Sequence, residues 1–208
     1  MTDESVKASA ELVVSTAAEM RALGRRLAAL LRAGDLVILS GGLGAGKTTL
    51  TQGIGEGLGV RGPVTSPTFV IARVHPPLVA ACGSAGPRPA GPGPALVHAD
   101  AYRLGSSLEL DDLDLDADTA TSVTVVEWGE GLAEGLAADR LEITITPVAG
   151  GNSASLGDAG DLGGSESSDD SEALDGLDGD SPRTVRISGV GARWLDIELP
   201  PAGLADRL

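Results

Sequence analysis

At 208 residues the chain has the length of one domain with some to spare, and 42% hydrophobic residues with only 2% aromatics mean a core built from Leu, Val, Ile and Ala. A formal net charge of −15 excludes a broad electrostatic patch for bare DNA or RNA, so any connection to RNA has to run through partner proteins. The single cysteine, Cys82, rules out an intrachain disulfide, no run reaches the length of a membrane span, and the polar residues 1–10 lack the apolar centre of a signal peptide, so the expectation is a cytoplasmic protein with no membrane partner.

Residues 11–14 are a short strand candidate. Ser15 or Thr16 can then cap a helix, with Glu19 near the capping-box position. Met20, Leu23, Leu27, Leu30 and Leu31 recur at helical spacing, which predicts an amphipathic helix over residues 17–32 that packs on the core. Arg25, Arg26 and Arg32 suit the dipole at its end, and Gly34 stops it. The apolar residues 35–40 form a strand that runs into G-G-L-G-A-G-K-T at residues 41–48.

That octet reads G-x-x-x-x-G-K-T, a phosphate-binding loop. A triphosphate needs several donors in a tight cradle, and backbone N–H groups supply them only where the chain wraps closely, which Gly41, Gly42, Gly44 and Gly46 permit. Lys47 places a point charge on the terminal phosphates, the Thr48 hydroxyl can ligate Mg²⁺, and the helix that follows, to about Leu58 with Gly59 as its stop, aims its positive end at the ligand. The chain has only two lysines, Lys7 and Lys47, so the match is not an accident of lysine abundance.

Downstream, Ser66, Pro67 and Thr68 make a polar turn before a strand over residues 69–74; such a turn serves either as a phosphate contact or as an ordinary turn. Residues 75–94 are rich in Pro, Gly and Ala without periodicity and read as an insertion, with Cys82 an incidental thiol inside it. Residues 95–100 form a buried-type strand that ends on Asp100, a carboxylate placed where open α/β sheets bind ligands or else a helix cap, while His98 reads as a packed or hydrogen-bonded histidine. Residues 106–118 are an acidic, solvated stretch. Residues 122–126 are a mostly apolar strand run, followed by Glu127 and Trp128, the pattern of an acid that holds Mg²⁺ or its water. Residues 129–138 can form a short helix, and residues 141–146, 184–190 and 193–199 alternate as strands. Between them, residues 150–182 carry no Lys, Arg or aromatic residue and read as a disordered acidic insertion.

In this order the motifs resemble one family, the TsaE (YjeE) ATPases of tRNA threonylcarbamoyladenosine (t6A) synthesis. The resemblance rests on G-G-L-G-A-G-K-T-T at 41–49, S-P-T-F at 66–69, H-A-D-A-Y-R-L at 98–104 and V-E-W at 126–128. It implies that Gly41, Gly44, Ala45, Gly46, Lys47, Thr48 and Thr49 bind the ATP phosphates and that Thr48 and Glu127 coordinate Mg²⁺. It further implies that Thr68 contacts the γ-phosphate, that Asp100 assists hydrolysis or transmits its state, and that Trp128 sits beside the nucleotide. The implied partners are TsaD and TsaB, which would themselves hold the tRNA. The expected fold is a single α/β domain of P-loop NTPase type in three layers: a mainly parallel sheet with helices on both faces and antiparallel C-terminal edge strands, interrupted at about 75–94 and 150–182.

Two other functions use the same loop. A small-molecule P-loop kinase needs an arginine-bearing lid, yet no Arg occurs between Arg103 and Arg140. A nucleotide-dependent regulator that never turns over has less use for the carboxylates Asp100 and Glu127.

Overall fold

The computed structural model describes residues 6–67, 71–78, 93–104, 106, 109, 120–148 and 180–200. Seven strands form one sheet: β1 (Val6–Val14), β2 (Leu36–Gly41), β3 (Ala72–His75), β4 (Ala95–Asp100), β5 (Ser122–Glu127), β6 (Arg140–Pro147) and β7 (Arg183–Val190). Their spatial order is β1-β7-β6-β2-β5-β4-β3. The centre, β6-β2-β5-β4, is parallel, while β7 on β6, β1 on β7 and β3 on β4 are antiparallel. This is the expected α/β sheet, parallel in the core with antiparallel edges. Its chemistry follows the rule for such sheets: β2 and β5 are buried along nearly their whole length, whereas β6, which pairs antiparallel with β7 on its other side, alternates from Glu142 to Thr146.

Helices α1 (Ala17–Ala28) and α2 (Lys47–Leu58) lie together on one face of the sheet. Their apolar stripes (Met20, Leu23 and Leu27; Leu50, Ile54 and Leu58) share a core with Val37, Leu39, Val125 and Ile143 of the strands. The two helices approach closely because glycine lines the contact. A Cβ at Gly53 would strike the Arg21 backbone, and one at Gly24 would strike the carbonyl of Leu50. The opposite face carries a smaller core of Leu36, Ile38, Val97, Ala99 and Val126 under Ala133. Among the described residues that face is covered by a single 3₁₀ turn, Glu134–Leu136, in place of the short helix expected over residues 129–138.

One open choice is settled and two local expectations change. Thr16, not Ser15, caps α1: its Oγ1 accepts from the Glu19 N–H at 3.1 Å while Glu19 Oε2 takes the Ser15 N–H at 2.7 Å. The helix ends at Ala28 rather than residue 32, because groups outside the helix capture the turn that follows. Arg193 Nη2 donates to Leu30 O at 2.7 Å, and Asp35 Oδ2 accepts from the Arg32 N–H at 2.9 Å. Residues 193–199 are not a ladder strand. Gly191, with φ 90°, turns the chain out of β7 into the 3₁₀ turn Ala192–Trp194, which drops Trp194 into the core. There the Arg193 guanidinium forks onto Asp35, Nε to Oδ1 at 3.2 Å and Nη2 to Oδ2 at 3.1 Å.

The insertion expected at about 75–94 begins later than the sequence suggests. His75 is the buried last residue of β3, and Pro77 bridges to Val60. Residues 79–92 and 149–179 lie outside the described residues, as does Cys82. No helix among the described residues is long and apolar enough to cross a membrane.

Candidate functional site

β2 delivers the chain to the loop at residues 41–46, beside the C-terminal ends of β4 and β5. Gly41, Gly44 and Gly46 stand at φ 147°, 70° and 100°, conformations that a side chain would strain, so the glycines are a geometric requirement of the wrap. Gly41 is also pressed on the neighbouring strand, where a Cβ would meet the Ile145 carbonyl. Gly46 hands directly into α2, whose first N–H groups and positive dipole end therefore face the cradle. Ala45 and Thr49 are buried beneath it.

Lys47 is 5% exposed, and its Nζ donates to the carbonyls of Gly41 and Gly42, each at 2.9 Å. The same ammonium sits 3.6 Å from the centroid of the Trp128 ring, and Trp128 tilts against Tyr102 with centroids 5.1 Å apart. Burial lowers the Lys47 pKa, and the charges of Glu127 and Asp100 oppose that shift. The cation of the cradle is thus turned in on its own loop. An anionic oxygen would offer it a stronger acceptor than either peptide carbonyl.

Glu127 is the last residue of β5, 2% exposed. The parallel register sets it beside Leu39 of β2 and Asp100 of β4, so two carboxylates and the loop meet at one edge of the sheet. The Thr48 hydroxyl donates to Glu127 at 3.0 Å from Oε1 and 3.1 Å from Oε2. Buried His98 brings Nε2 to 2.7 Å from Glu127 Oε1. Asp100, 5% exposed, accepts the Tyr102 N–H at Oδ1 (2.9 Å), so it caps a turn and not a helix while standing at the strand end. Trp128 leaves β5 at φ 60°, a left-handed conformation that a bulky residue adopts only under constraint. Its N–H is held by Leu39 O at 2.8 Å.

Lys47, Thr48, Asp100, Glu127 and Trp128 are therefore brought together. Thr68 lies outside the described residues. On either side of it, the Ile71 N–H donates to Pro67 O at 2.8 Å, and the Asp100 N–H donates to Ile71 O at 2.8 Å, which ties that turn to the end of β4. Sequence reasoning left two groups out of the site. His98 faces it, and the signal was its place two residues before Asp100 on the same strand face. Arg183 of β7, 6% exposed, reaches Gly44 O with Nη2 at 3.4 Å, a contact between residues with no local relation in sequence.

No group of three or more His, Cys, Asp or Glu side chains capable of holding a metal occurs among the described residues. The oxygens present, the Thr48 hydroxyl and the Glu127 carboxylate, fit a small hard cation that takes its remaining ligands from phosphate and water and not from an all-protein cage.

The family model described as "Threonylcarbamoyl adenosine biosynthesis protein TsaE" matches residues 14–153. A Streptomyces coelicolor protein named tRNA threonylcarbamoyladenosine biosynthesis protein TsaE is 52% identical over 176 residues, 84% of this chain and 93% of that one. Proteins of the same name from Mycobacterium tuberculosis and Bacillus subtilis are 51% and 38% identical, each over 61% of this chain and over 73% and 71% of their own lengths. The crystal structure of Bacillus subtilis YdiB superposes with a TM-score of 0.55 at 27% identity, covering 90% of this chain and 89% of that one.

Proposed function

We propose a function from this premise: the chain belongs to the TsaE family, it serves tRNA threonylcarbamoyladenosine biosynthesis, and it does so as an ATP hydrolase that works with TsaD and TsaB. The observation that carries the proposal is the joint placement of Lys47, Thr48 and Glu127. The loop amine, the first helical hydroxyl and a strand-end carboxylate converge on one cradle, with the hydroxyl already bonded to the carboxylate.

In this reading the N–H groups of residues 44–49 wrap the phosphates of ATP, and Lys47 exchanges the carbonyls of Gly41 and Gly42 for phosphate oxygens. Mg²⁺ would be held on the protein side by Thr48 and Glu127 and would supply charge neutralisation for the terminal phosphates. Asp100, beside Glu127 in the ladder, orients the attacking water. Thr68 contacts the γ-phosphate from the turn tied to Asp100. The Lys47 ammonium leaves the Trp128 ring as the nucleotide enters. With an overall charge of −15, the chain leaves tRNA to its partners.

The test is phosphate release from ATP by the full chain, alone and with TsaD and TsaB homologues, together with co-purification of the three proteins with and without ATP. Weak release alone that rises with the partners supports the proposal. Transfer of the phosphoryl group to a small acceptor would make the protein a kinase, and tight nucleotide binding with no release under any condition would make it a regulator.

A further inference from the structure

We infer that His98 is a positioning residue. Its Nε2–H fixes the Glu127 carboxylate in the orientation that presents its remaining oxygen lone pairs, beside the Thr48 hydroxyl, to a divalent cation. The inference rests on the reading of Thr48 and Glu127 as that cation's protein ligands.

The tautomer follows from the surroundings. His98 is fully buried, its Nε2 lies 2.7 Å from Glu127 Oε1, and its Nδ1 has no hydrogen-bond partner among the described residues. A proton on Nδ1 would strand a buried donor and set the Nε2 lone pair against a carboxylate oxygen at 2.7 Å. A proton on Nε2 makes a charge-assisted bond and leaves only a lone pair unpartnered. The second arrangement is far cheaper, so the ring donates to Glu127.

The ring also has little freedom to leave. Its residue sits in the middle of β4, paired with Arg73 of β3 on one side and Val125 of β5 on the other. Glu127, by contrast, ends its strand and has a competing attraction. Its charge acts on the Lys47 ammonium, opposing the effect of burial there. The Thr48 hydroxyl has a single proton spread over both carboxylate oxygens, at 3.0 and 3.1 Å, and it must turn its own lone pair outward to act as a ligand. His98 is then the one described neighbour that holds Oε1 whatever Thr48 does. Without it, the buried carboxylate is free to swing toward the ammonium and away from the cation. Loss of such an outer partner typically weakens a metal site by about 10–100-fold.

The experiment uses the full chain and Mn²⁺ as the probe, titrated by electron paramagnetic resonance in the presence of saturating non-hydrolysable ATP analogue, with analogue affinity in chelator measured separately. Four variants are compared. His98→Leu keeps the volume and loses the donor, His98→Gln keeps an amide N–H near the Nε2 position, His98→Asn carries its amide at the Nδ1 position, and Glu127→Gln tests the ligand itself. We expect Mn²⁺ affinity to fall about tenfold or more in His98→Leu and His98→Asn and to recover to within about threefold in His98→Gln, with metal-free analogue affinity unchanged in all three. If His98→Leu does not fold, the Gln-against-Asn contrast decides alone. Wild-type Mn²⁺ affinity in His98→Asn, or equal loss in Asn and Gln, overturns the inference. If Glu127→Gln also binds Mn²⁺ as wild type, the cation site itself is misassigned and the inference falls with it. If Glu127→Gln weakens Mn²⁺ while no His98 variant does, the site stands and only the role of His98 is lost.

Discussion

The two ends of the parallel strands hold the same three kinds of side chain. Each has a buried carboxylate, a cation and a tryptophan under that cation. At the end where β2 begins these are Asp35, Arg193 and Trp194; at the end where β5 stops they are Glu127, Lys47 and Trp128. The first set is closed. Both Asp35 oxygens are taken by the fork of Arg193, and Oδ2 also takes a backbone N–H. The second set is open. Lys47 spends its protons on peptide carbonyls, and Glu127 is bonded only to a hydroxyl and an imidazole among the described residues. A buried acid matched by a planar, always-charged guanidinium is finished as structure. One left with a hydroxyl and an imidazole beside a compact ammonium is poised to exchange partners, and that difference supports placing the proposed chemistry at this end.

Breaking the closed end should have the largest effect. Asp35→Ala strands the Arg193 guanidinium, whose side chain is 10% exposed, and is expected to cost about 3–5 kcal/mol in a denaturant melt, with nucleotide affinity of the folded protein unchanged. A loss below about 1 kcal/mol would mean that the two ends are not different in kind.

Breaking the open end should spare the fold. Glu127→Gln keeps an acceptor for Thr48 and His98 while removing the charge. We expect phosphate release in the presence of the partners to drop about 100-fold, equivalent to about 2.7 kcal/mol. The melting temperature should change little, since the amide fills the same volume and keeps an acceptor for both donors. Normal release in both Glu127→Gln and Asp100→Ala would contradict the roles given to the strand-end acids.

Lys47→Ala sharpens the contrast between the cations. It should reduce ATP affinity by roughly ten- to hundredfold, about 1.5–3 kcal/mol, measured by calorimetry. Unchanged affinity would remove the loop from the site.

The smallest effect is expected from the chain between the two antiparallel C-terminal strands. The β6–β7 ladder closes at Pro147 and Arg183, with the Val148 N–H on Pro182 O at 3.1 Å, so the ends of the intervening segment are already adjacent. Joining Ala149 to Ser181 removes nine acidic residues and takes the formal charge from −15 to −6. The melt should shift by less than about 1 kcal/mol, because closure entropy varies slowly with loop length. ATP affinity should be unaltered. A collapse of stability would show that the removed residues contribute to the fold.

What could be read from the sequence was whatever is local. The loop at residues 41–48 declares itself because its glycines, its lysine and its threonine are adjacent in the chain, and β2 and β5 declare themselves as mostly apolar runs rich in β-branched residues. Asp100 and Glu127 were legible as strand-end acids for the same reason. What escaped depends on partners far apart in sequence. α1 stops at Ala28 because Arg193 takes the Leu30 carbonyl, and no propensity within α1 encodes that. The alternation at residues 193–199 imitates a strand, but Gly191 turns the chain away and Trp194 is claimed by the core. His98 could be placed on the face of Asp100 by period-two counting. That its ring meets Glu127 depends on the β4–β5 register, which only the fold supplies.

The two tryptophans, set at opposite ends of the sheet, also give the protein a built-in optical pair. Trp128 lies under a movable ammonium in the phosphate cradle, and Trp194 is sealed under a guanidinium that is clamped to Asp35. When phosphate draws the Lys47 amine off the indole, the emission of Trp128 should change while that of Trp194 stays constant. A single fluorescence trace therefore contains both a reporter of the cradle and an internal reference. Replacing Trp128 by Phe should leave the steady background and abolish the ligand-dependent part.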